Sequence, residues 1–328
     1  MILKIKYFLF FFIILGLGCG CSEQNNFVGS DKTKKIYKIG FANFGPDIVA
    51  DNVIKGYIDG LKTENIIEGI NLKIVYKHAA GEIVNIPMML QSLESAGLDL
   101  IVPMSTPVLT AACGILKKTN VVFVYTYDPI AAGAGKTFTE HLPNFTGVGS
   151  FPPIEDTMKF ILELFPNTKK IGVLYNPAET NSVKAVNTAK AFLSDKKIKV
   201  EEVTISGTNE IFQGAKSVIS RGIDVFWGAG DNTVFQAFDG VVKAASESKI
   251  PLIINDVEFV ESGALAGVGI SWYNSGFEAG KIAAKVLLGQ NPSAIPIINI
   301  AARKIVLNHN TAEKLKIKFP QKIIEESK

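Results

Sequence analysis

At five places in this chain, side chains able to accept or donate hydrogen bonds directly follow an apolar run. They are Ser105-Thr106-Pro107, Tyr127-Asp128-Pro129, Asn176-Pro177, Gly230-Asp231-Asn232-Thr233 and Asp256. Thr, Asp and Asn cap helices because their side-chain oxygens accept from the free amides of the first turn. Proline suits the first helical position, where no amide hydrogen is required. The spacing therefore predicts strands that end in capped helix starts, with Thr106 capping a helix that Pro107 begins. Capping is a structural role when each site is taken alone. Collectively the caps imply more, because in parallel α/β sheets all such ends lie on the carboxyl edge, where ligands bind.

The elements that must position these residues alternate regularly. Strand-like runs fall at 37–43, 71–77, 98–104, 121–126, 170–175, 198–205, 223–229, 251–255 and 265–270. Helical patterns lie between most of them, at 47–64, 84–96, 107–118, 154–165, 179–194, 208–221, 233–248 and 274–288. Continuous apolar strands alternating with amphipathic helices predict parallel sheets covered on both faces. The Gly- and Pro-rich stretch 131–153 reads as a crossing between domains. The fold class expected is α/β, with two doubly wound, Rossmann-like lobes joined by a three-strand hinge. Residues 36–147 and 274–294 are assigned to an N-terminal lobe, 148–273 and 295–328 to a C-terminal lobe.

Residues 1–21, MILKIKYFLFFFIILGLGCGC, read as a targeting segment: Lys4 and Lys6 precede an apolar run too short for a spanning helix. The following LGLGCGCSEQNN resembles a bacterial lipoprotein cleavage site, with Cys19 (alternative Cys21) as the acylated residue and 22–35 as a tether. Beyond the leader only Cys113 remains, which excludes a disulfide framework. Removing Lys4 and Lys6 from the 34 basic residues nearly balances the 31 acidic ones, so no nucleic-acid footprint is present. A chain of this composition suits a globular protein tethered to a membrane.

If two lobes face each other, Thr106 and Asp128 line one wall of the cleft, and Asn176, Asp231 and Asp256 the other. Phe44, Tyr125, Tyr127, Trp272 and Tyr273 supply aromatic faces nearby. Hydroxyls with helix amides hold an anion, a carboxylate holds an ammonium, and rings hold an apolar body. That combination suits an α-amino acid. Asp128 or Asp231 is the expected ammonium partner, and Thr106 with its helix amides the carboxylate site.

The succession STPVLTAA, TYDPIAAGAG, NFTGV, IGVLYNP and GDNTV resembles the tryptophan/tyrosine-type ABC transporter substrate-binding family, of periplasmic-binding-protein type I fold. The similarity spans about residues 36 to 312. The resemblance implies a non-enzymatic receptor that closes over a small solute and delivers it to a membrane permease and its ATPase. It implies ligand contacts at Ser105, Thr106, Thr126, Asp128, Asn176, Asp231 and Asp256. Trp272, in ISWYNSG, departs from many relatives. A monomer held outside the cytoplasm by a lipid anchor is expected, with no cofactor and no metal. Two alternatives stay open: the same fold holding a purine nucleoside or sugar, and a sensory or surface lipoprotein without a transporter.

Other motifs carry less. AGAGKT lacks the first glycine of a phosphate loop, since Ile130 stands there. His78, His141 and His309 are far apart in sequence, against a histidine metal site. No local nucleophile signature accompanies Ser105 or Ser182.

Overall fold

A computed structural model describes residues 35–300 and 303–327. The leader, Cys19, Cys21 and the tether up to residue 34 lie outside the described residues.

Five parallel strands come first: β1 (Tyr37–Asn43), β2 (Leu72–His78), β3 (Leu100–Pro103), β4 (Asn120–Thr126) and β5 (Phe145–Gly149). Five more follow: β6 (Lys170–Tyr175), β7 (Lys199–Thr204), β8 (Val225–Gly228), β9 (Leu252–Ile254) and β10 (Ala266–Ile270). Two short late strands, β11 (Ile298–Asn299) and β12 (Arg303–Leu307), add one to each sheet. The first sheet runs β11-β5-β4-β3-β1-β2 and the second β12-β10-β9-β8-β6-β7. All pairings are parallel except β10 with β12. Strands such as β3, LIVP, are buried throughout because helices cover both sheet faces.

The helices are α1 (Ile48–Lys62), α2 (Ile86–Glu94), α3 (Thr106–Ile115), α4 (Ile154–Leu164), α5 (Thr180–Ser194) and α6 (Ile211–Ser220). They continue with α7 (Asn232–Gln236), α8 (Phe238–Glu247), α9 (Trp272–Leu287), α10 (His309–Leu315) and α11 (Gln321–Glu326). Although α9 follows the last long strand of the second sheet, it packs against α1 and the first sheet. Glycines set that contact. A Cβ on Gly56 or Gly60 of α1 would lie 2.1 or 2.2 Å from backbone oxygens of Tyr273 and Phe277. Gly276 and Gly280 of α9 approach the Val53 and Tyr57 carbonyls at 2.2 and 2.1 Å in the same way. Two backbones can meet this closely only where side chains are absent.

Sheet membership shows where the chain passes from one sheet to the other. The chain crosses between Gly149 and α4, between Ile270 and α9, and between Asn299 and Arg303. The stretch 131–153 therefore contains a strand as well as a crossing. FTGVG reads poorly as a strand because glycine is depleted there. Gly147, at φ +151°, is needed because a Cβ would stand 2.2 Å from the Phe123 carbonyl oxygen.

Candidate functional site in the interlobe cleft

The carboxyl ends of the strands of both lobes face one another. On the first wall β3 leads into Ser105, and β4 ends at Thr126 and leads into Asp128. Ser105, not Thr106, occupies the cap position of α3, with Thr106 and Pro107 already in the first turn. The expected cap bond is not made. Ser105 sits at φ +81°, ψ 152°, a region that costs a non-glycine residue about 1–3 kcal/mol. Its Oγ is buried and has no hydrogen-bond partner among the described residues. Thr106 Oγ1 instead accepts from the Tyr127 amide at 3.3 Å, tying the ends of β3 and β4 together. Thr126 Oγ1 donates to the Val124 carbonyl at 3.4 Å. Tyr125, whose ring faces Trp272, is the second strained residue of this wall, at φ +59°.

Asp256 anchors the second wall and reaches the first. The Tyr127 hydroxyl donates to Asp256 Oδ2 at 3.0 Å, and the Trp272 indole N–H donates to Asp256 Oδ1 at 3.0 Å. The Tyr127 and Trp272 rings are parallel, 6.0 Å apart, while Tyr125 meets Trp272 edge-on at 4.8 Å. Phe151, at the first crossing, packs edge-on against Tyr127 at 5.8 Å. Burial pushes Asp256 up to about 7, and the nearby Glu258 charge adds to that, against the Tyr127 and Trp272 bonds. Burial also holds both tyrosine hydroxyls well above their usual range, so they remain donors.

Two further carboxylates face this cluster. Glu258, in the helical turn after β9, keeps a buried Oε2 without a hydrogen-bond partner among the described residues. Burial raises its carboxyl, opposed by its own amide, Lys304 and the Trp272 amide, with Asp47 adding to the rise. Asp47 caps α1 through the Ala50 amide at 2.7 Å, and burial pushes it up to about 6. Sequence reasoning did not single out either residue. Asp47 was legible as a cap after Gly45-Pro46, and Glu258 lies two residues from Asp256.

The remaining predicted residues are placed differently. Asp231 Oδ1 caps α7 through Val234 N at 3.0 Å, and its Oδ2 accepts from Asn176 N at 2.8 Å and Ser182 Oγ at 2.7 Å. Burial and the negative charge of Glu179 push this carboxyl well up. Asn176 donates to Thr233 Oγ1 at 3.1 Å and accepts from Ala178 N at 3.0 Å, so both residues belong to a network inside the second lobe. Asp128 closes a turn with the amides of Ile130 and Ala131, each at 3.0 Å, and pairs with Lys184 of α5. Both residues proposed for an ammonium thus meet three protein donors apiece, whereas Glu258 Oε2, beside Asp256, has no hydrogen-bond partner among the described residues. Phe44 is core of the first lobe, Tyr273 turns away to bond Asp59 at 2.9 Å, and Trp227 bonds Asn255 at 2.7 Å inside the second lobe.

A profile of ABC transporter substrate binding proteins matches residues 45–328. The chain belongs to that family. A curated relative of this binding protein is the tyrosine-binding protein of Clostridioides difficile (strain R20291). It is 31% identical over 283 residues, 86% of this chain and 82% of the relative. Among solved structures, an ABC domain from Streptococcus pneumonia in complex with L-Trp is 31% identical. It superposes with a TM-score of 0.84 over 89% of this chain and 98% of that one. The ligand-free, open structure of a substrate binding protein with adhesive properties from Clostridium difficile is 30% identical. Its TM-score is 0.65, over 87% of this chain and 97% of that one. At nearly equal identity, this chain superposes more closely on the L-Trp complex than on the open protein. The fold is that of type I periplasmic binding proteins, and the family is not enzymatic.

Proposed function

We propose that this binding protein captures an α-amino acid with an aromatic or branched apolar side chain and presents it to an ABC permease. The carrying observation is a complementary pair of buried polar atoms without partners among the described residues, Ser105 Oγ on one lobe and Glu258 Oε2 on the other. Ser105 and the first amides of α3 suit a carboxylate, because a helix start carries unpaired N–H groups and partial positive charge. Glu258 and Asp256 suit an ammonium. Tyr125, Tyr127 and Trp272 between them suit an apolar or aromatic body. The tyrosine-binding and L-Trp-binding relatives support this choice of solute. In this reading Thr106 and Thr126 shape the first wall, while Asp128, Asn176 and Asp231 position the lobes and helix starts.

We place the protein outside the cytoplasm, held by a lipid on Cys19 or Cys21, from the leader and the family's role in import. A thermal-shift panel of amino acids, nucleosides and sugars tests the solute class. A solute at 100 times its dissociation constant adds about 2.7 kcal/mol to stability. Stabilisation by aromatic or branched apolar amino acids is expected. A response confined to nucleosides or sugars would overturn the assignment.

A further inference from the structure

We infer that Lys184 is a positioning residue for solute capture: with Asp128 and Phe151 it forms a latch that holds the lobes closed without touching solute. Lys184 belongs to α5 of the second lobe, whereas Asp128 follows β4 of the first. Their side chains are ion-paired across the cleft, and the Lys184 ammonium lies 4.6 Å from the ring centre of Phe151 at the crossing. Burial works to raise Asp128, but Lys184 and the amides of Ala131 and Ile130 outweigh it and hold the carboxyl below its usual range.

The sheet order locates this contact beside the solute site, not within it. In the first sheet β3, which carries Ser105, has β4 on one side and β1 then β2 on the other. The latch stands at the β4 end. At the β1–β2 end a second interlobe contact forms, where Gln236 of α7 lies over Gly45 and Gly81. A Cβ on Gly45 would stand 2.2 Å from Gln236 Oε1, and one on Gly81 3.1 Å from Gln236 Cγ. Closure is thus braced on both sides of Ser105, by charge at one end and by shape at the other. The ionic brace is more than a third exposed on the lysine side. Pairs of that kind contribute modestly and weaken with salt, so the latch biases the open–closed equilibrium without locking it.

Small-angle scattering of the full binding protein, with and without saturating L-tyrosine or L-tryptophan, tests this at 20 mM and 1 M NaCl. Lys184→Met and Asp128→Asn should each shift the low-salt ensemble toward larger dimensions. Lys184→Arg should restore compactness, and 1 M salt should erase the difference between wild type and Lys184→Met. Because the solute-free protein is measured too, the result does not depend on which solute binds. Where an amino acid binds, Lys184→Met should weaken every such ligand by the same factor, about two- to five-fold. The double variant should lose no more than either single one. Identical scattering of wild type and both variants at low salt would overturn the latch, as would losses that differ from ligand to ligand.

Discussion

The Tyr127 hydroxyl and the Asp256 carboxylate, which lie on opposite lobes, are joined by a 3.0 Å hydrogen bond. The same phenol ring stacks on Trp272, whose indole N–H holds the other oxygen of Asp256. The contact between the lobes therefore both orients a carboxylate and forms an aromatic wall. Room for the ring is provided by Gly230, at φ +77°, where a Cβ would stand 1.7 Å from the Tyr127 hydroxyl oxygen.

Tyr127→Phe keeps the ring and removes the bond to Asp256. Bonds to charged groups contribute about 1.5–3 kcal/mol. Affinity for the amino acid should fall by that order while the melting temperature of the solute-free protein changes little. Isothermal calorimetry paired with thermal unfolding measures both. An unchanged dissociation constant would show that this bond does not contribute to capture.

Ser105→Ala removes a buried hydroxyl that has no partner among the described residues, so the fold should lose nothing and gain up to about 1 kcal/mol. Binding of L-tyrosine or L-tryptophan should weaken by about 1.5–3 kcal/mol. Tyramine and tryptamine, which lack the carboxylate, should bind wild type and variant alike. Equal losses for acids and amines would remove Ser105 from the carboxylate site.

Asp231→Ala should act on stability. It strips the cap of α7 and leaves the Asn176 amide and Ser182 hydroxyl short of an acceptor, at a cost of about 2–3 kcal/mol. Urea unfolding reads the loss, and solute affinity at low temperature should be preserved. Weakened binding with unchanged stability would return Asp231 to the ligand-contacting set.

Closure without solute should depend on pH. Asp256 is raised from 3.8 to about 7 and Asp47 from 3.8 to about 6 where the two walls meet. A raised carboxyl favours the state that buries it at low pH, and this contribution is lost as pH rises through the raised value. Lowering the pH from 8 to 5 should therefore compact the solute-free protein in scattering, and Asp256→Asn should flatten the response. An ammonium competes with those protons, so affinity should decline below about pH 6. Compaction that increases with pH would contradict the sign.

Much of this protein was readable from local chemistry. Alternation of apolar runs with capped helix starts specifies parallel strands and helices, because burial on both faces and unpaired first-turn amides act over a few residues. Thr106, Asp128 and Asp256 follow the carboxyl ends of β3, β4 and β9. Which partner each polar atom meets was not readable, since that depends on residues far apart in the chain. Asp128 is satisfied by Lys184, 56 positions away, and Asp256 by Tyr127, 129 positions away. Ser105 passes for part of an ordinary cap until its backbone twists to φ +81° and leaves the hydroxyl without a partner among the described residues. Strand β5 escaped notice because glycines that look like loop are required by the Phe123 backbone beside them. Sequence alone determined the alternating strands and helix starts of the two sheets. Only the tertiary structure decided which carboxylates bind the protein itself and which have no partner among the described residues, because burial and pairing are settled when the two walls meet.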